Sequence, residues 1–147
     1  MKECSISVFI LIALAGIPTH AQQVTREPYM QLGTPSSMVI RWRTDIAVVG
    51  KVNFGTALSG LNNSISETTA ATEHILHITG LSSTTIYYYD IGTTSSVLLQ
   101  ANAEMYFKTS PPPGTVQPIR AWVIGDFGNA SQRQIDVMNS YLNSVAF

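Results

Sequence analysis

Cysteine is nearly missing from this sequence: a single one, Cys4, occurs in 147 residues. Charge is scarce too, at 12% of residues, and neither sign prevails, with 8 Lys plus Arg against 9 Asp plus Glu. Without a basic excess there is no long-range field to draw in a polyanion, so nucleic acid is excluded as a partner. Nor is any apolar run long enough for a bilayer. The stretch from Ile6 to Ile17 holds about 12 residues where a spanning helix needs about 20, so no membrane span is expected. Apolar surface itself is plentiful: hydrophobic residues make up 45% of the chain, enough to offset the entropy of ordering, which excludes a disordered polypeptide.

The short apolar run has a different use. Lys2 precedes it, and Thr19-His20-Ala21 follows it with a small residue suited to signal-peptidase cleavage. Residues 1–21 therefore read as a signal peptide, and the mature protein is expected to be secreted, periplasmic or held at the cell surface. Cleavage after Ala21 removes Cys4. The exported chain then has no disulfide, no thiolate metal site and no cysteine nucleophile, and it must be held by its apolar core.

From residue 22 to 110 the pattern is of short strands separated by turn residues. In Ser37 to Thr44, Met38, Ile40 and Trp42 share one face and Val39, Arg41 and Arg43 the other, the period-two alternation of a half-buried strand. Trp42 is expected to point inward. Lys51 to Gly55 repeats the alternation with Val52 and Phe54 on one side, and the Gly, Ser and Asn residues between 55 and 64 suggest a loop. Glu73 to Thr79 sets Ile75 against Leu76 and Ile78; Ile86 to Ile91 and Met105 to Thr109 supply two more strands. With no helical period before residue 110, this spacing predicts an all-β Greek-key sandwich.

Two details refine that sandwich. Leu81 and Tyr87 flank a short polar turn in the layout of a tyrosine corner, where the phenol packs inward and its hydroxyl bonds to the chain upstream. Tyr87 and Tyr89 share a face, with Tyr88 opposite, and are expected to pack rather than to bind a ligand. His74 and His77 look like a metal-binding pair, but an offset of three on a strand puts them on opposite faces. Solvent-facing or locally bonded histidines are expected instead.

Ser110-Pro-Pro-Pro-Gly114 interrupts the strand pattern, since proline donates no backbone hydrogen bond, and 111–118 reads as a linker. Beyond it, Ile119 to Ile124 is a nearly continuous apolar run, the mark of a strand covered on both faces. Ile135, Met138, Leu142 and Val145 then recur at helical spacing, with Asn129 or Ser131 available as the cap. Between them stands Gly125-Asp126-Phe127-Gly128. Asp126 lies where open α/β sheets place ligands, between glycines that let an ion or phosphate approach. Its carboxylate suits a hard or borderline cation; equally, it could cap the helix that follows. Asp-Phe-Gly also occurs in protein kinases, but the glycine-rich loop, paired lysine and H-R-D segment that would accompany it are missing from this sequence.

Taken in order, several blocks resemble the purple acid phosphatases, exported members of the metallophosphoesterase superfamily: P-Y-M-Q-L-G-T-P at 28–35, V-I-R-W-R-T-D at 39–45, G-K-V-N-F-G at 50–55, H-I-L-H-I-T-G-L-S at 74–82, T-I-Y-Y-Y-D-I-G at 85–92 and R-A-W-V-I-G-D-F-G at 120–128. The resemblance implies a fibronectin type III-like sandwich over 22–110, followed at 119–147 by one β-α unit that opens a metallophosphoesterase domain. It further implies hydrolysis of a phosphate monoester by a hydroxide held on a dinuclear metal centre, ferric iron beside zinc, manganese or iron. In that comparison Asp126 matches the aspartate of the first D-x-G motif, a ligand of the ferric ion. The family's G-D-x-x-Y, G-N-H-D/E, V-x-x-H and G-H-x-H motifs have no match in these residues, so one carboxylate stands alone and the missing remainder of the catalytic domain would be its partner. The expected identity is the N-terminal portion of an exported phosphatase, inactive by itself; the competing expectation is a non-catalytic fibronectin-like binding module.

Overall fold

The computed structural model describes residues 22–118, 123 and 131–144. The chain divides into two compact units between Pro113 and Gly114. The first is a sandwich of two antiparallel sheets. One sheet has the order β1 (Val24–Gln31), β2 (Ser37–Val48), β5 (Ala71–Thr79). The other runs β4 (Asn63–Ser66), β3 (Gly50–Gly55), β6 (Ile86–Thr93), and the far side of β6 is shared by β7 (Val97–Leu99) and β8 (Tyr106–Lys108). The chain thus moves to the second sheet after β2, returns for β5 and crosses again to β6, the cross-sheet connectivity of a fibronectin type III-like sandwich.

The alternation in the sequence decides which side chains meet between the sheets. Met38, Ile40 and Trp42 of β2, with Leu76 and Ile78 of β5, face Val52 and Phe54 of β3, Tyr87, Tyr89 and Ile91 of β6 and Phe107 of β8, in one buried cluster. Trp42, Ile40, Val52 and Ile91 are completely buried. Tyr87 stacks on Phe107, with ring centroids 5.6 Å apart, and meets Phe54 edge-on at 6.3 Å. Ile75, on the opposite face of β5 from Leu76 and Ile78, is exposed.

β1, β4 and β7 have no alternation to announce them. β1 is an edge strand that contains Pro28 and shifts register on either side of Arg26, devices suited to an edge because they spoil pairing with another chain. β4 lies in the Gly-, Ser- and Asn-rich stretch whose composition suggested a loop, and it forms because Asn63 to Ser66 pairs with Phe54 to Lys51. β7 and β8 are two short pieces of what would be one edge strand, split by the segment 100–105.

The tyrosine corner is present. Tyr87 is buried, and its hydroxyl oxygen accepts the Ser82 N–H at 2.9 Å. Thr109, just past β8, holds the same corner from the other side: its Oγ1 donates to the Ser82 carbonyl at 2.6 Å and accepts the Thr85 N–H at 2.9 Å.

In the second unit the described residues include one helix, α1 (Gln132–Ser144), whose first turn is held by the Ser131 carbonyl accepting the amides of Gln134 and Ile135. Ser131 thus stands at the cap position. Of the strand expected over 119–124 only Val123 is described, and it is exposed; the other residues of that span, and Asp126 with its flanking glycines, lie outside the described residues. Among the described residues no helix is long and apolar enough to cross a membrane.

Candidate functional site

The two histidines of β5 point to opposite faces, as a strand requires, and only His77 is exposed. His74 corrects the expectation of a solvent-facing or locally bonded ring. It is completely buried in the core face of β5, because both of its nitrogens find partners there from distant parts of the chain. Nδ1 lies 2.8 Å from Glu67 Oε2, and Nε2 lies 2.9 Å from Thr44 Oγ1. The ring also stacks on Trp42, with centroids 4.6 Å apart and planes 20° from parallel.

Glu67 is the hub of this cluster. It follows β4 in the second sheet, where its own N–H donates to the Gly50 carbonyl at 2.9 Å. Its Oε2 also accepts the Gly50 N–H at 3.1 Å, and its Oε1 accepts the Ile75 N–H at 3.1 Å, in the first sheet. One carboxylate therefore links β3 to β5 across the open end of the sandwich. The close approach needs Gly50: a Cβ there would fall 2.5 Å from His74 Nδ1 and 2.9 Å from both Glu67 Oε2 and Trp42 Cζ2.

Counting protons assigns the donors. The single hydroxyl hydrogen of Thr44 goes to the Ile46 carbonyl at 2.8 Å, so toward His74 the oxygen accepts and Nε2 donates. On the other side, Nδ1 and Glu67 Oε2 need one hydrogen between them.

Thr44, His74 and Glu67 have the connectivity of a hydroxyl-imidazole-carboxylate triad. They cannot act as one. Thr44 is only 2% exposed, and its proton is committed to a backbone carbonyl, so no substrate reaches the oxygen. The cluster is a buried polar network that fixes how the two sheets meet. One signal for it exists in the sequence: Glu67 is the only charged residue between Lys51 and Glu73.

Other carboxylates of the sandwich are similarly engaged. Asp90 is buried and accepts the side-chain amide of Asn53 at 2.7 Å. Glu73 lies 2.6 Å from both Arg26 and Arg43, and Arg26 in turn covers the ring of Tyr29 at 5.1 Å. These ion pairs are substantially solvent-exposed and contribute little to stability. Among the described residues no group of three or more His, Cys, Asp or Glu side chains could hold a metal ion. Burial raises the Tyr89 phenol above its ordinary pKa, because the phenolate would lose hydration there.

No curated protein matches the chain. Among solved structures, it is similar to the sensor domain of the anti-sigma factor RsgI4 from Pseudobacteroides cellulosolvens, with 16% sequence identity and a TM-score of 0.41 over 68% of this chain and 98% of that one. A family model described as the purple acid phosphatase N-terminal domain matches residues 26–109, a span from β1 to the Thr109 that closes the tyrosine corner. That span holds both sheets, the aromatic core and the Glu67–His74 link, and by it the chain belongs to the purple acid phosphatase N-terminal domain family.

Proposed function

We propose that this chain is the N-terminal portion of an exported purple acid phosphatase-like hydrolase, in which the sandwich precedes a catalytic domain that begins near Ile119. The observation that carries this reading is the family match over 26–109, followed in the same chain by Gly125-Asp126-Phe127-Gly128. In this reading residues 1–21 direct export, the substrate is a phosphate monoester, and Asp126 is one ligand of a dinuclear centre of ferric iron with zinc, manganese or iron.

The side chains described here do not fit that centre by themselves. Two-metal hydrolysis needs several ligands on each ion so that nucleophile and leaving oxygen are held together. The sandwich's His74, Glu67 and Asp90 are all bonded to protein groups, and Asp126 contributes one carboxylate. No catalytic step is therefore assigned to the sandwich, whose role in the enzyme is structural.

The test is to read the coding DNA past codon 147 and to assay the 147-residue chain. In-frame G-D-x-x-Y, G-N-H-D/E, V-x-x-H and G-H-x-H motifs, with no metal-dependent phosphate release by the short chain, are the expected results. A genuine stop codon directly after Phe147 would overturn the reading, and efficient phosphate release by the short chain would overturn the division of labour.

A further inference from the structure

Among the described strands with one side unpaired, β5 is the one whose free edge the sequence leaves unguarded. β1 carries Pro28 and two register shifts, β4 has four residues, and β7 and β8 have three each. β5 has nine residues without proline, and it pairs with β2 in unbroken register from Ser37↔Thr79 to Arg43↔Glu73. Ile75, at its middle, is 53% exposed. A long, regular and partly apolar edge of this kind is a template for another strand.

A carboxylate stands at that edge. The Ile75 N–H points away from β2 and donates to Glu67 Oε1 at 3.1 Å. Backbone N–H groups alternate sides along a strand, so those of Glu73 and His77 lie on the same free edge. Glu67 is held in place from behind: its Oε2 accepts the Gly50 N–H at 3.1 Å and lies 2.8 Å from His74 Nδ1, and its own N–H is tied to the Gly50 carbonyl. An incoming strand would have to offer a carbonyl to the Ile75 N–H. It would find the Glu67 oxygen already there.

We propose that Glu67 is a stopper that keeps β5 from taking up an added strand, and that the strand it excludes is β5 of a second copy of this chain. The edge is self-complementary. In an antiparallel pair of β5 strands centred on Ile75, each Ile75 N–H would donate to the other Ile75 carbonyl, and Glu73 of each copy would stand opposite His77 of the other. The two exposed Ile75 side chains would cover one another. Glu67 fills the centre of that register, so the residue that joins the two sheets also leaves the domain without a self-pairing edge. This device uses only the sandwich and is independent of the phosphatase reading.

Two experiments test it. In the unsubstituted full chain, amide hydrogen exchange should be slower at Ile75 than at Glu73 and His77, which share the edge without a carboxylate. Exchange at Ile75 as fast as at those two would overturn the proposal by itself. In sedimentation the unsubstituted chain should stay monomeric, whereas Glu67→Ala should move toward the mass of a dimer as concentration rises. Adding His77→Pro, which removes one edge N–H, should return that variant to a monomer. Thr44→Val, which takes a partner from His74 but leaves Glu67 on Ile75, should remain monomeric. A folded Glu67→Ala chain that stays monomeric would overturn the proposal, and so would equal self-association by Thr44→Val, which would trace it to a loosened core.

Discussion

Glu67 and His74 meet at 2.8 Å although the first follows a strand of one sheet and the second lies in a strand of the other. The contact closes one end of the sandwich with a carboxylate that also takes two backbone N–H groups, from Gly50 and Ile75. Its energetic role follows from what removal of Glu67 leaves behind, the Nδ1 of a completely buried His74 without a hydrogen bond.

Glu67→Gln should destabilise the sandwich by about 2 kcal/mol, because the amide cannot accept from Gly50, Ile75 and His74 together and a charge-assisted bond is lost. Urea denaturation followed by tryptophan fluorescence measures it. A midpoint equal to that of the unsubstituted chain would show that the network contributes nothing.

Gly50 and Gly80 should respond differently to the same chemistry. Gly50→Ala drives a methyl group into His74 and Trp42 and should cost roughly 1–3 kcal/mol. Gly80 has φ +73° with open space around it, so Gly80→Asn, which tolerates that conformation, should change stability by less than about 0.5 kcal/mol. Thermal unfolding of the two variants side by side distinguishes a steric requirement from a conformational one.

At the tyrosine corner, Thr109→Val should be the more damaging of two substitutions. Tyr87→Phe removes one acceptor, from Ser82, for about 1 kcal/mol. Thr109→Val leaves two backbone groups, the Ser82 carbonyl and the Thr85 N–H, without their partner in a part-buried setting, for about 2 kcal/mol. The reverse order in denaturant midpoints would mean that the phenol, and not the threonine, holds the corner.

Alkaline conditions should weaken the fold through Tyr89. Its phenol has a raised pKa in the folded chain because burial penalises the phenolate. Below about pH 10 both folded and unfolded states keep the proton, and the contribution is fully present. As pH rises further the unfolded chain releases the proton first, so stability falls until the folded phenol ionises as well. Tyr89→Phe should flatten this part of the stability profile; an unchanged slope above pH 10 would contradict it.

Much of the sandwich was legible from local pattern. The alternation in β2, β3 and β5 places Trp42, Val52, Phe54, Leu76 and Ile78 inside, and the spacing from Leu81 to Tyr87 announces the corner. The helix beyond the proline run was equally plain from Ile135, Met138 and Leu142. β1, β4 and β7 were not, because edge strands with Pro28, or with short polar segments, owe their form to the neighbour they pair with.

Period-two alternation is a property of consecutive residues, and it alone determined which side chains of each main strand face inward. What a buried polar atom meets is decided by residues brought from the opposite sheet. His74 looked like half of a surface pair until Thr44, 30 positions away, and Glu67 supplied partners for both nitrogens. Thr109 acquired its role only by lying against Ser82, 27 positions earlier. Hydrogen bonds act over about 3 Å in space whatever the separation along the chain, so only the packed sandwich could assign them.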